Sequence, residues 1–329
     1  MLNCLKELTS VNGISANEGE IAEILVNKLN TLCDYATIDK HGNVVGVIKA
    51  KNASKTLLFE AHMDRIGLMI SNVDKDGFLE FVNIGGFDER VLLASEVIIN
   101  GEINGIIFSK EKNPKISQLR IDTGLSAEKV KEHIKVGDFA IVKSELSVLC
   151  SNQLSSSAMD NRAGIAAVLY ALSNIDRNKL ACNISVLFSV QEELGLHGAY
   201  TGTNELNPDA AIVIDVTHGT TQDTKDKTGV FDLGSGAIIC RGPNFDYDYT
   251  KQLINTADKN NIPYKIEVAS GPSGTSAWAV QVTGEGVPSM LVSIPLKYMH
   301  TNVETLDLTD VSATADLLIK AAEGGIYID

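Results

Sequence analysis

Apolar residues recur at Ile21, Ile24, Leu25 and Leu29, the spacing of one buried face of a helix. A shorter helix is predicted over residues 2–9, and Asn12-Gly13 breaks the pattern between the two. Ser15 and Glu18 read as an S-x-x-E capping box at the start of the second helix. Strand candidates follow around 35–39, 43–49 and 56–61, with His41-Gly42-Asn43 as the turn between the first two. From residue 70 to 155 the texture changes. Short β-rich pieces (FLEFVNI, EVIING, GIIFS, FAIVKS) alternate with Gly, Asn and Asp turns, and SAEKVKEHI alone has helical spacing. After residue 157 helices (NRAGIAAVLYALSNI, YDYTKQLINTADKNN, DVSATADLLIKAAEG) alternate with strongly apolar strands (NISVLFSV, AAIVIDV, YKIEVA, PSMLVSI).

Apolar strands alternating with helices predict an α/β fold, a mixed sheet flanked by helices. The middle stretch predicts an inserted all-β, barrel-like domain. The expected division is residues 1–69 with 156–329 as the α/β domain and 70–155 as the insert. A chain of 329 residues is long enough for two such units.

Composition narrows the partners. The formal net charge of −14 argues against nucleic acid, whose phosphates need a concentrated basic face. Five dispersed cysteines without a CxxC pair suit reduced thiols better than a zinc knuckle or a disulfide framework. The N-terminal segment lacks an apolar h-region and no apolar run is long enough to span a bilayer. A cytoplasmic protein with no membrane partner is expected.

In open α/β sheets, sites gather beyond the carboxyl ends of the strands. LLFEAHMDRIG ends a strand at His62 and Asp64; SSSAMDNRAG puts Asp160 before a helix; LFSVQEELG ends a strand at Glu192 and Glu193. AIVIDVTHG ends one at Asp215, and LVSIPLKYMHTNVE places His300 beyond the last strand. Histidines and carboxylates at strand ends are the inventory of a dinuclear divalent-metal site, and suit zinc, cobalt or manganese. One bridging carboxylate, with one imidazole and one further carboxylate for each metal, uses five positions. Each residue also has a plainer reading when taken alone. Asp160 suits an N-cap for a helix beginning at Asn161, Asp215 a cap, His62 a half-buried histidine and His300 a loop residue. Of the remaining histidines, His41 and His133 read as surface residues, and His218 as a neighbour of the site.

The stretches AHMD, MDNRAG, QEELGLHGA, DVTH and YMH occur in this order between GISANEGE and KYMHTNVE. In this order they resemble the dinuclear metalloaminopeptidases that include glutamyl aminopeptidases, tetrahedral (TET) peptidases and cellulase-M-like proteins. The resemblance implies a zinc-peptidase-like catalytic domain that hydrolyses N-terminal residues from peptides with two divalent metal ions per subunit. By resemblance, Asp160 bridges the metals, His62 and Asp215 complete one set of ligands, and Glu193 and His300 complete the other. Asp64 orients His62, and Glu192 is the general base. Three carboxylates then offset two dications to leave one positive charge, suited to a hydroxide nucleophile and a tetrahedral oxyanion. The insert matches the family's β-barrel dimerisation domain, which implies self-association and, as in many members, a dodecamer.

The surroundings depart from the family pattern at Arg65 after HMD, at SSSA before MDNR, at Ser276 in SGTSAWAV, and in GTTQDTKDKTG after DVTH. Arg65, if it faced the pocket, would favour an acidic substrate residue; otherwise it makes a surface ion pair. The rival functions are a related two-metal amidohydrolase (carboxypeptidase, deacetylase or deacylase) and a catalytically silent homologue acting as a scaffold or peptide binder. An endoglucanase fits less well, because the carboxylates it would need are engaged by metals.

Overall fold

The computed structural model describes residues 1–51, 53–225 and 228–328. The chain starts with helices Leu2–Ser10 and Gly19–Leu32, the second burying Ile21, Leu25 and Leu29 as the periodicity requires. The expected capping box does not form. Glu18 occupies the N-cap without a side-chain cap bond, and the Ser15 hydroxyl donates to the Asp64 carboxylate instead.

An eight-stranded sheet forms the core of the α/β layer. Its strands lie in the order Tyr35–Ile38, Val44–Ile48, Asn183–Ser189, Thr56–His62, Ala210–His218, Ser289–Leu296, Ala237–Arg241 and Tyr264–Val268. The central four, from Asn183–Ser189 to Ser289–Leu296, are mutually parallel, with Ser189 level with His62 and Thr217 level with Pro295. Their carboxyl ends therefore open on one side of the layer, where the connecting loops must carry any site. Helices cover both faces. Met159–Asn174 packs against Leu308–Lys320 on one side, and His197–Leu206 lies against the Asn183–Ser189 strand on the other. The strand Ala237–Arg241 and the helix His197–Leu206 carry no clear periodic signal in the sequence, since AIICR is short and HGAYTGTNEL is polar and glycine-containing.

Between Gly67 and Val142 the chain closes a six-stranded antiparallel barrel, in the order Gly67–Val73, Leu79–Ile84, Arg120–Asp122, Ile103–Phe108, Glu96–Ile99 and Phe139–Val142. Its helix is Ala127–His133, capped by Ser126. Leu68, Ile70, Val97, Ile107 and Ile121 fill its core by the alternation of strand side chains. The barrel is held close to the N-terminal segment, where a Cβ on Gly67 would lie 1.9 Å from Ile14 Cδ1. A small sheet of Ser147–Val148, Gln153–Ser156 and Glu304–Asp307 returns the chain to the α/β layer. Among the described residues, no helix is long and apolar enough to cross a membrane.

Candidate metal centre

Each candidate residue is placed by a local feature of the backbone. His62 is the last residue of its strand. Asp215 lies inside its own strand, which runs on to His218 rather than ending at the aspartate. Asp160 sits at a break in the first turn of Met159–Asn174, with an extended backbone (φ −78°, ψ 104°). The capping bond comes from the next residue, Asn161, whose Oδ1 accepts the Gly164 N–H at 3.1 Å, so Asp160 is not the cap that the sequence suggests. The Asn161 amide donates to the Ile214 carbonyl at 2.8 Å and ties that turn to the Asp215 strand. After Ser189 the chain leaves the sheet, and Gln191 adopts a left-handed φ of 54° that redirects it before Glu192 and Glu193. His300 has a left-handed φ of 61° in the loop before Glu304–Asp307.

These residues meet around a cavity of about 270 Å³. His62 Nε2 lies 3.0 Å from Asp160 Oδ1 and 3.7 Å from Asp215 Oδ1. His300 Nε2 lies 3.4 Å from Asp160 Oδ2 and 3.6 Å from Glu193 Oε1. The residues thus fall into two groups able to hold a cation, His62–Asp160–Asp215 and Asp160–Glu193–His300, with donor atoms in each within 4.8 Å of one another. Asp160 belongs to both and offers one oxygen to each. Glu192 belongs to neither group but lines the same cavity.

Asp64 organises the site from behind. Its backbone carbonyl lies 3.2 Å from His62 Nδ1 and its carboxylate Oδ1 lies 3.5 Å from the same nitrogen, so His62 turns Nε2 toward the cavity. The same carboxylate accepts the backbone N–H groups of Glu192 at 2.9 Å and Glu193 at 3.2 Å. One aspartate therefore sets both the imidazole and the turn that carries the adjacent glutamates.

Electrostatics point to cations. Burial, then its carboxylate neighbours, pushes Glu192 up to about 9 despite the opposing effect of His62. Burial and Asp160 push Glu193 well above the carboxylate range, and burial raises Asp215. Burial would also raise Asp160, but hydrogen bonds from His300 and His62 outweigh it and hold this carboxyl low. Burial would lower His62, yet Asp160, Asp215 and Asp64 raise it well above its usual value. These are the shifts of carboxylates crowded together with imidazoles as their sole nearby counter-charges. Among the described residues no lysine or arginine lines the cavity. The oxygen and imidazole donors, their spacing and their uncompensated negative charge all fit divalent cations.

The model of the M42 glutamyl aminopeptidase family matches residues 42–317. The chain belongs to this family. An aminopeptidase from the archaeon Desulfurococcus kamchatkensis superposes with a TM-score of 0.92 at 33% identity, over 98% of this chain and 94% of that one. The lysyl aminopeptidase of Pyrococcus furiosus is 30% identical over 95% of this chain and 94% of its own length. The TET1 peptidase of Pyrococcus horikoshii, which can assemble into a tetrahedron or a large octahedral shell, superposes with a TM-score of 0.84 at 30% identity, over 98% of each chain. A TET1 structure holds a dodecamer in its asymmetric unit. This chain is accordingly a metallo-aminopeptidase of family M42, with two candidate groups for its metals.

The structure of this M42 peptidase also corrects the reading of Arg65. The residue is 4% exposed, is absent from the cavity wall, and among the described residues makes no ion pair. It neither faces the pocket nor pairs at the surface. Its backbone bridges to Ile14, and burial lowers its guanidinium to about 10. Ser276 is buried beside Glu60, outside the cavity wall. His218 is exposed at the cavity rim and joins neither cation group.

Sequence reasoning missed three acidic supports. Glu304 accepts from the backbone N–H groups of both Asp160, at 3.2 Å, and His300, at 2.9 Å, and so joins the two cation groups from below. Its position four residues after His300 in KYMHTNVE is the signal that could have found it. Glu18 accepts from Ala16 and Gln191 N–H groups and steadies the turn into Glu192. Glu60 accepts from the Ser189 hydroxyl at 2.6 Å between the two neighbouring strands.

Proposed function

We propose that this M42 chain removes N-terminal residues from peptides by hydrolysis at the cavity between His62 and His300. The observation that carries the reading is the pair of donor groups sharing Asp160. His62 and Asp215 would hold one divalent cation, Glu193 and His300 the other, and Asp160 both. Zinc and cobalt suit this donor set best, with manganese also accommodated. When bound, such a pair of cations supplies water of lowered pKa and polarises the scissile carbonyl.

The chain's own residues do the rest. Glu192 reaches the cavity without belonging to either donor group. Its carboxylate takes a proton from the attacking water and delivers it to the leaving amine. Asp64 fixes the His62 ring and the turn carrying both glutamates, so the proton acceptor stays in register with the donor atoms. Glu304 does the same for Asp160 and His300.

Residues 1–69 and 156–329 form the catalytic domain in this reading, and 70–155 the unit of self-association. Val82, Ile106 and Val136 expose apolar surface on that unit, and the TET relatives make a dodecamer the expected assembly. A cytoplasmic location completes the proposal. Dialysis against a chelator, single-metal reloading and a peptide panel test the activity. Turnover should return with zinc, cobalt or manganese, and an N-acetylated peptide should resist cleavage. Equal cleavage of the acetylated peptide would instead support a two-metal amidohydrolase. Metal binding without turnover on any substrate would leave a peptide-binding scaffold.

A further inference from the structure

The cavity wall contains one carboxylate that neither the cation groups nor the proton transfer use. Glu267 is half-buried on Tyr264–Val268, the edge strand of the main sheet, and its Oε1 accepts a hydrogen bond from Thr217 Oγ1 at 3.0 Å. Thr217 lies two residues beyond Asp215, so this bond places Glu267 beside the reacting centre. Among the described residues Glu267 forms no ion pair, and no lysine or arginine lines the cavity. Burial raises its carboxyl, the mark of an anion short of both water and counter-charge. Met299 adds an apolar wall to the same cavity, a surface suited to methylene groups. Arg65, which would have reversed the sign of the cavity, lies buried outside it.

We infer that Glu267 selects peptides whose N-terminal residue is lysine or arginine, by pairing with the cationic side chain while Met299 contacts its methylenes. The inference rests on the peptidase reading and names the substrate class of that same site. Glu267 is a specificity-determining residue: it touches the substrate side chain, whereas the scissile bond is handled by Glu192 and the cation groups. A charge-assisted hydrogen bond of this kind separates a substrate from its uncharged isostere by about tenfold or more.

Norleucine keeps the carbon chain of lysine and lacks the ammonium, which makes it the isostere needed. Wild type and Glu267→Gln are loaded with metal, checked for equal metal content, and compared on lysyl, arginyl, norleucyl and glutamyl peptides. Wild type should favour lysyl over norleucyl by about tenfold or more, chiefly through KM. Glu267→Gln should bring that ratio near one and leave norleucyl cleavage within about twofold, while Glu267→Lys should favour the glutamyl peptide. A wild type indifferent to lysine over norleucine, or a Glu267→Gln variant that loses both substrates equally, would overturn the assignment. If the loaded wild type cleaves no peptide, the activity reading fails separately. Calorimetric binding of lysinamide against norleucinamide then decides the role of Glu267: wild-type preference for lysinamide that vanishes in Glu267→Gln supports it, and equal binding overturns it.

Discussion

The barrel and the strand-end site are built on opposite terms. Among the described residues between Gly67 and Val142, Ser95 is the sole buried polar one, and the core is otherwise aliphatic and aromatic. The α/β layer buries Glu18, Glu60, His62, Asp64, Arg65, Asp160, Arg162, Asp215 and Glu304 within one region. A barrel of that composition is held by apolar burial, and among its described residues no titratable group is buried. The site has to be held by hydrogen bonds and counter-charge, because burying a charge without a partner is costly. Arg162 shows the tension: it is fully buried, burial lowers it to about 9, and its three guanidinium nitrogens lack hydrogen-bond partners among the described residues. The region built for packing and the region built for chemistry should therefore fail under different stresses.

The largest effect is expected from Asp160→Asn, because that residue alone belongs to both cation groups. Turnover should fall to the detection limit and both metals should be lost on dialysis, as read by metal analysis. A variant that keeps one metal per chain would break the shared-ligand account. Asp64→Asn should act more mildly, lowering metal affinity or activity by about 10- to 100-fold, the range for groups that orient ligands. Chemical denaturation should show that Ile107→Ala, inside the barrel, costs about 2–5 kcal/mol of stability. Its metal content per folded chain should be unchanged. Loss of metal from that variant would join two regions separated here.

Stability against pH sharpens the contrast further. Burial pushes Glu18 and Glu60 up to about 7 and Glu304 up to about 8. These folded-state values lie above the unfolded carboxyl value of about 4, so in that window the folded chain binds more protons than the unfolded one. The stability they contribute is complete below the unfolded value and is lost as pH rises through the folded values. His62, also raised, acts in the same direction. The thermal midpoint of chelated protein should fall between about pH 5 and 8, and added metal should lessen the fall. A midpoint that rises over that range would contradict the assignment. The smallest effect concerns Arg65→Ala, which should leave the ratio of acidic to basic substrates unaltered, since the guanidinium lies off the cavity wall.

Local pattern made the layer, the insert and the site residues legible. Continuous apolar strands such as NISVLFSV announced a sheet covered on both faces, and the short β-rich pieces from FLEFVNI to FAIVKS, set between Gly, Asn and Asp turns, announced the barrel. His62, Asp160, Glu193, Asp215 and His300 stand near parallel strand ends or a helix start, where one rule about α/β sheets looks for them. What escaped depends on contacts between distant segments. Ser15 matches a capping box locally but turns to Asp64, 49 positions away. Glu267 is an ordinary strand glutamate until the fold brings it to Thr217. Arg65 follows the HMD stretch and still points away, because its strand-like bridge to Ile14 directs it inward.

The central claim is that adjacent Glu192 and Glu193 divide the work, one moving a proton and one holding a cation. Metal content and turnover of Glu192→Gln and Glu193→Gln, measured side by side on the same reloaded preparations, test it most directly. The account predicts that Glu192→Gln keeps the wild-type metal content and loses turnover, while Glu193→Gln loses metal together with turnover. Equal loss of metal from both variants, or full turnover in Glu192→Gln, would contradict it.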